Sequence, residues 1–258
     1  MDEHEAAFSL AESATPAVIT AGSPVLSRWS AALQVVMVSG IPTQFIAAAI
    51  LAIGLRMPLL DANGISFEFI AVVSLVDTAI VALLIRIFLS FSGEESTDVF
   101  VGPRPVVGEM LRGVAWLPIV FLGVTSIVLA IRAVAPWMHN VETSPFEAFL
   151  KTPRQAAVFL VVVVLAGGVR EELQRAFILH RFDQRLGGAR VGLVLFTIAF
   201  GAFHLDQGYD VALAICCLGL FWGLAYIQRR SAILPMVNHA SFNATQVIQI
   251  MLARALNA

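Results

Sequence analysis

Apolar runs close to the roughly 20 residues a helix needs to cross a bilayer recur along this chain and leave it little choice of fold. They lie at about 31–55, 67–90, 114–135, 156–181, 191–205, 211–228 and 232–253. A backbone in hydrocarbon must satisfy its own hydrogen bonds, so such runs become helices. Only 13% of residues are charged, against about 25% in an average soluble domain. The fold class implied is all-α: a multi-pass transmembrane helical bundle of about seven spans, forming one domain over 31–258. Residues 1–30, rich in Ser, Ala, Thr and Pro, read as a flexible tail. Their acidic start lacks the basic region of a cleavable signal peptide.

The connections carry the remaining polarity. Gly93 to Arg112 is the longest polar break, with room for a short interfacial helix, and Asp183 to Arg190 is a tight basic turn. With the N-terminus cytoplasmic, the inner loops hold Arg86, Arg104, Arg112, Arg181, Arg185, Arg190, Arg229 and Arg230. Asp206 and Asp210 then lie outside, as the positive-inside rule prefers; Lys151 and Arg154 oppose it. A multi-pass protein of the cell membrane is expected, and its compact size suits a bacterial inner membrane. The net charge of −2 indicates no nucleic-acid partner. Cys216 and Cys217 are adjacent in an apolar run and read as small core residues.

Leu165 to Phe182 breaks the apolar pattern, because it puts Arg170, Glu171, Glu172, Gln174 and Arg175 where lipid should be. Farther on come His204, closing FTIAFGAFH, and His239 and Asn243 in PMVNHASFNATQ. At 1.5 Å per residue, Glu171, His204, His239 and Asn243 lie roughly 15, 20, 13 and 20 Å from the inner end of their helices. That shared slab points to one site, since an isolated charge at the bilayer centre costs several kcal/mol. Facing agrees: His239, Asn243 and Gln246 share a stripe, Phe200 precedes His204 by one turn, and Glu171 and Arg175 form an i, i+4 pair. Blander readings stand beside this one. VREELQRAFILHRF could lie on the inner surface, His204 could be structural, and His239 and Asn243 could glue helices together. His4, His139 and His180 read as structural, and Asp77 as a carboxylate paired within the bundle.

These residues resemble the CPBP family (CAAX proteases and bacteriocin-processing enzymes, also called Abi), whose core carries EExxxR, FxxxH and HxxxN or HxxxD. The matches are Glu171–Glu172, Phe200 with His204, and His239 with Asn243, over a core at 156–252. One position departs: Ala176 stands where the family has a basic residue, and Arg175 comes one place early, so Arg175 or Arg170 would have to reach the carboxylates instead. The resemblance implies an intramembrane endopeptidase of glutamate type. Glu171 would activate water with His204, His239 and Asn243 would stabilise the oxyanion, and Glu172 would position the first Glu. It implies a peptide or protein substrate, membrane-associated or lipidated substrates included. No cofactor is expected; the alternative is zinc held by Glu171, His204 and His239, although HExxH is absent. Two other classes stay open: a proton-coupled transporter, since buried Glu and His build proton relays, and an inactive family member serving as membrane scaffold or immunity factor.

Overall fold

A computed structural model describes residues 26–61, 64–143 and 145–256. Of the proposed tail, 1–25 lie outside the described residues, and the helix begins at Arg28. The chain is helical almost throughout, apart from a two-stranded turn pairing Leu60–Asp61 with Gly64–Ile65. Helices α1 (Arg28–Val38) and α2 (Ile41–Ala49) form a pair bent by 49°. Next come α3 (Phe67–Phe91), α4 (Ser96–Phe100), α5 (Val106–Ala115) and α6 (Leu117–Val134). The C-terminal half holds α7 (Pro153–Val162), α8 (Glu171–Arg185), α9 (Ala189–Ala202), α10 (Tyr209–Arg229) and α11 (Ile233–Leu256). Between α7 and α8 the helix continues unbroken through wider π-type turns from Val163 to Arg170.

Every expected run is helical, yet only Phe67–Phe91, Val106–Val134 and Tyr209–Arg229 are long and apolar enough to cross a membrane, or four spans if the bent pair is one. Seven is therefore more than length and apolarity support among the described residues. The reason is local. Charges at Arg170, Glu171, Glu172 and Arg175 interrupt the apolar run of the continuous helix 153–185, and α9 is apolar but only 14 residues long. The polar break at 93–112 does hold a short helix, Ser96–Phe100, and its last turns already belong to the helix starting at Val106. Side chains such as Leu122, Leu129 and Ile119 of α6 are largely exposed, which suits a lipid-facing helix.

The π-type segment packs face to face against α11. A Cβ on Gly168 would lie 2.5 Å from the Cβ of Ala240, and one on Gly167 would lie 2.6 Å from Asn243 Nδ2. Small residues let the two backbones approach this closely, and the approach sets α11 beside the residues that open α8. α10 and α9 pack in the same manner, with Gly219 against Phe200 and Gly223 against Leu193 and Arg175.

The far end of α8 is anchored to the loop after α3. Glu94 meets His180 Nε2 at 2.6 Å, accepts from Arg181 at 2.5 Å, and is bonded by Gln184. Arg181, buried completely, also donates to Gln34 of α1 at 2.7 Å. Burial alone would raise the Glu94 pKa, but the bonds from His180 and Arg181, with their charges, outweigh it and hold it at about 2. A carboxyl depressed from its ordinary 4.5 stabilises the fold above that pH, and the contribution is lost as pH falls towards about 2. The unfolding midpoint in detergent should fall across this window, and Glu94→Gln should lower the midpoint at pH 7 and flatten that part of the profile.

Candidate active site

The helix break at Ser39–Gly40 brings the first span against α8. Gly40 has φ +87°, a conformation that glycine tolerates best, and a Cβ there would sit 2.9 Å from an Arg170 nitrogen. Gln174 closes the break by donating to the Val38 carbonyl at 2.5 Å. Arg170 reaches Asp77 of α3 at 3.2 Å and Gln174 at 3.0 Å, so Asp77 is paired within the bundle as the sequence suggests.

Glu172 is the buried half of the double Glu, at 1% exposure, and it meets two partners. Arg175 donates to it from one turn along α8, and His239 Nδ1 of α11 lies 2.8 Å from the same oxygen. The expected i, i+4 pair of Glu171 with Arg175 is replaced by this i, i+3 pair. Glu171 keeps 20% exposure, whereas the fully buried Glu172 needs the countercharge, because an unpaired buried ion is far more costly. Arg175 is itself fully buried, and its guanidinium lies 5.0, 4.8 and 5.6 Å from the rings of Phe196, Phe200 and Trp222. Their π faces supply part of the stabilisation that water would otherwise give.

Glu171 turns the other way. Its Oε2 is 3.8 Å from His239 Nε2 and its Oε1 is 3.9 Å from Arg170. His239 therefore stands between the two carboxylates, one ring nitrogen facing each. Glu171 also lines a partly open cavity of about 490 Å³, whose walls include Ser39, Gly40, Arg170, Phe196, Phe200 and His204.

His204 lies just past the C-terminal end of α9, where its Nδ1 meets the Phe200 carbonyl at 2.7 Å. The bond fixes the ring across the cavity wall, and Phe200 lies against both histidines, 5.0 Å from His204 and 6.2 Å from His239 between ring centres. Asn243, a turn beyond His239, directs Nδ2 to the Val163 carbonyl at 3.4 Å, and Gln246 is exposed rather than part of the stripe. The structure thus gathers Glu171, Glu172, His239 and Arg175 in one contact cluster. His204 joins it through the shared cavity, and Asn243 lies against the π-type turns. Among the described residues no group of three or more His, Cys, Asp or Glu side chains is arranged to hold a metal. The set Glu171, His204 and His239 is not drawn to one point.

Of the other histidines, His4 lies outside the described residues, and the remaining two have structural partners. His139 meets Asp210 at 3.1 Å and His180 meets Glu94. Both cysteines are free thiols, and Cys216 donates to the Thr197 carbonyl. Two residues packed beside the cluster escaped the sequence reading. Trp222 is a large aromatic in an apolar run, and Asn238 is the neighbour of a histidine already singled out. The glycines on either side of Trp222, Gly219 and Gly223, are the sequence signal that α10 packs closely there.

With this geometry in view, one comparison bears on the C-terminal half. Residues 153–245 match the Rce1-like family of type II CAAX prenyl endopeptidases. The resemblance read from the motifs holds for this segment, which contains every residue of the cluster, whereas Asp77 and the α1–α2 break lie outside it. No curated protein and no solved structure gives a significant match. The match supports a membrane protease, hence a hydrolase acting on a peptide or protein substrate.

The Glu172–Arg175 pair gives a direct test of the cluster's electrostatics. Arg175→Met should destabilise the protein by about 3–5 kcal/mol, since it strands a buried carboxylate. Adding Glu172→Gln should recover a large part of that loss. Chemical denaturation in detergent of the two single variants and the double variant measures the coupling, and simple additivity would refute it.

Proposed function

We propose that the protein is an intramembrane endopeptidase in which Glu171 is the general base. The observation that carries this reading is Glu171 itself, held beside His239 yet turned into the cavity that His204 also lines. Its carboxylate takes a proton from a water in the cavity, and the hydroxide formed attacks the scissile carbonyl carbon. The same proton then passes to the leaving nitrogen, which returns Glu171 to its carboxylate form.

His204 can hold the attacking water. With its Nδ1 hydrogen given to the Phe200 carbonyl, the neutral ring offers Nε2 as an acceptor, the tautomer being set by the bond the other nitrogen makes. His239 and Glu172 orient Glu171 from behind. The oxyanion role implied for His239 and Asn243 requires each to reach past its present partner. The geometry favours positioning for His239, and support of the cavity wall for Asn243. Phe182, Phe196, Phe203, Ile178 and Leu195 make most of the cavity apolar, which suits a membrane-associated peptide.

Two experiments test the reading. Purified protein in detergent should cleave a membrane-associated peptide library. Glu171→Gln should abolish cleavage, and His204→Ala should reduce it by about 10²–10⁴-fold, with folding preserved in both. Undiminished cleavage by the Glu171 variant would overturn it. The arginine-rich end, where Arg28 reaches the Arg185 carbonyl at 3.3 Å and Arg104 the Arg229 carbonyl at 2.9 Å, we assign to the cytoplasm of a bacterial inner membrane. Single cysteines at 185 and 206, in a background lacking Cys216 and Cys217, should label from the inside and outside respectively; the reverse pattern would invert the topology.

A further inference from the structure

His239 has both ring nitrogens aimed at carboxylates, and nothing in α8 alone fixes its ring plane. The plane is set from α10. The Trp222 indole lies parallel to the imidazole, with ring centres 3.8 Å apart and planes inclined by 17°. Phe200 closes the other approach edge-on, at 86°.

Trp222 is itself immobilised. It is 1% exposed, and its Nε1 donates to Asn238 Oδ1 at 2.8 Å. Asn238 is fully buried and donates in turn to the Gly113 carbonyl of α5 at 2.8 Å. Asn238 directly precedes His239, so the helix that carries the imidazole also holds the indole stacked on it. Gly219 and Gly223, three residues before and one after Trp222, let Phe200 and Leu193 of α9 close around this side of α10.

A bulky aromatic in a helical bundle would ordinarily be read as core filling. Core filling does not require a parallel face-to-face arrangement on a histidine, nor a hydrogen bond to that histidine's neighbour. Aromatic stacking adds to simple area burial and favours one orientation of a ring that would otherwise rotate about its Cβ–Cγ bond. Rotation would take Nε2 away from Glu171 and Nδ1 away from Glu172 together. We propose that Trp222 is a positioning residue, whose stack on His239 fixes the imidazole between Glu171 and Glu172 and thereby aims the Glu171 carboxylate into the cavity.

This inference rests on the peptidase reading, and the experiment separates the two. Trp222→Leu keeps an apolar side chain but removes the stacking face and the N–H, whereas Trp222→Phe keeps a planar face and loses the N–H with the second ring. Trp222→Leu should lower kcat by about ten- to a hundredfold, the scale expected when a reacting group is misplaced, with KM within twofold of wild type. Trp222→Phe should restore most of kcat. The His239 ring protons, observed by NMR after isotopic labelling of histidine, should lose the indole ring-current shift in Trp222→Leu and keep an aromatic shift in Trp222→Phe. Wild-type kcat in the leucine variant would overturn the proposal. So would a phenylalanine variant as impaired as the leucine one, because the indole N–H rather than the stack would then be decisive. If wild-type protein cleaves nothing, the peptidase reading fails and this proposal falls with it. If wild type cleaves, Glu171→Gln does not, and Trp222→Leu is unaffected, the positioning role alone fails.

Discussion

Glu172 and Arg175 place opposite charges side by side in a bundle whose outer surface is largely hydrocarbon. Neither could stay there alone, since the desolvation of each is offset only by its partner and by the groups packed around both. The aromatic rings of α9 and α10 are arranged around the guanidinium, and His239 of α11 meets the carboxylate. Helices α8 to α11 therefore converge on one buried pair. The partly exposed neighbour, Glu171, faces the cavity instead.

The same logic explains how much could be read from the residues. Charge in an apolar run is conspicuous, so the double Glu, His204, His239 and Asn243 stand out at once, and helix rise puts Glu171, His204, His239 and Asn243 at a shared depth. Arg175 is the instructive case. Spacing along a helix admits either carboxylate as its partner, and the choice is made by burial, which depends on three other helices. Trp222 and Asn238 carry no such flag, because an aromatic and an amide in a membrane helix have many ordinary uses. The number of spans was also hard to read. Apolar content locates the helices, but the charges of the site and the shortness of α9 leave several of them short of an independent crossing.

Close backbone approach does as much as charge to build the site. Gly167 and Gly168 let the π-type turns lie on α11, and Gly40 lets the broken first span reach Arg170. Wider turns at a functional position are a recurrent feature of helices. Here they come immediately before Glu171, so the registers of the apolar helix and of the charged one need not coincide.

The family match begins at residue 153, but the electrical neutrality of that half does not. Arg170 is balanced by Asp77 of α3, and Arg181 by Glu94, with Gln34 accepting a further hydrogen bond from it. Gln174 is occupied by a backbone carbonyl exposed where the first span breaks. The N-terminal helices thus act as counterions and hydrogen-bond acceptors as well as lipid-facing scaffold. The half that holds the candidate site is not a portable module. Transplanted without them, it would carry unmatched cations into the membrane, so the less distinctive half of the chain is tied to the site by charge compensation rather than by motif.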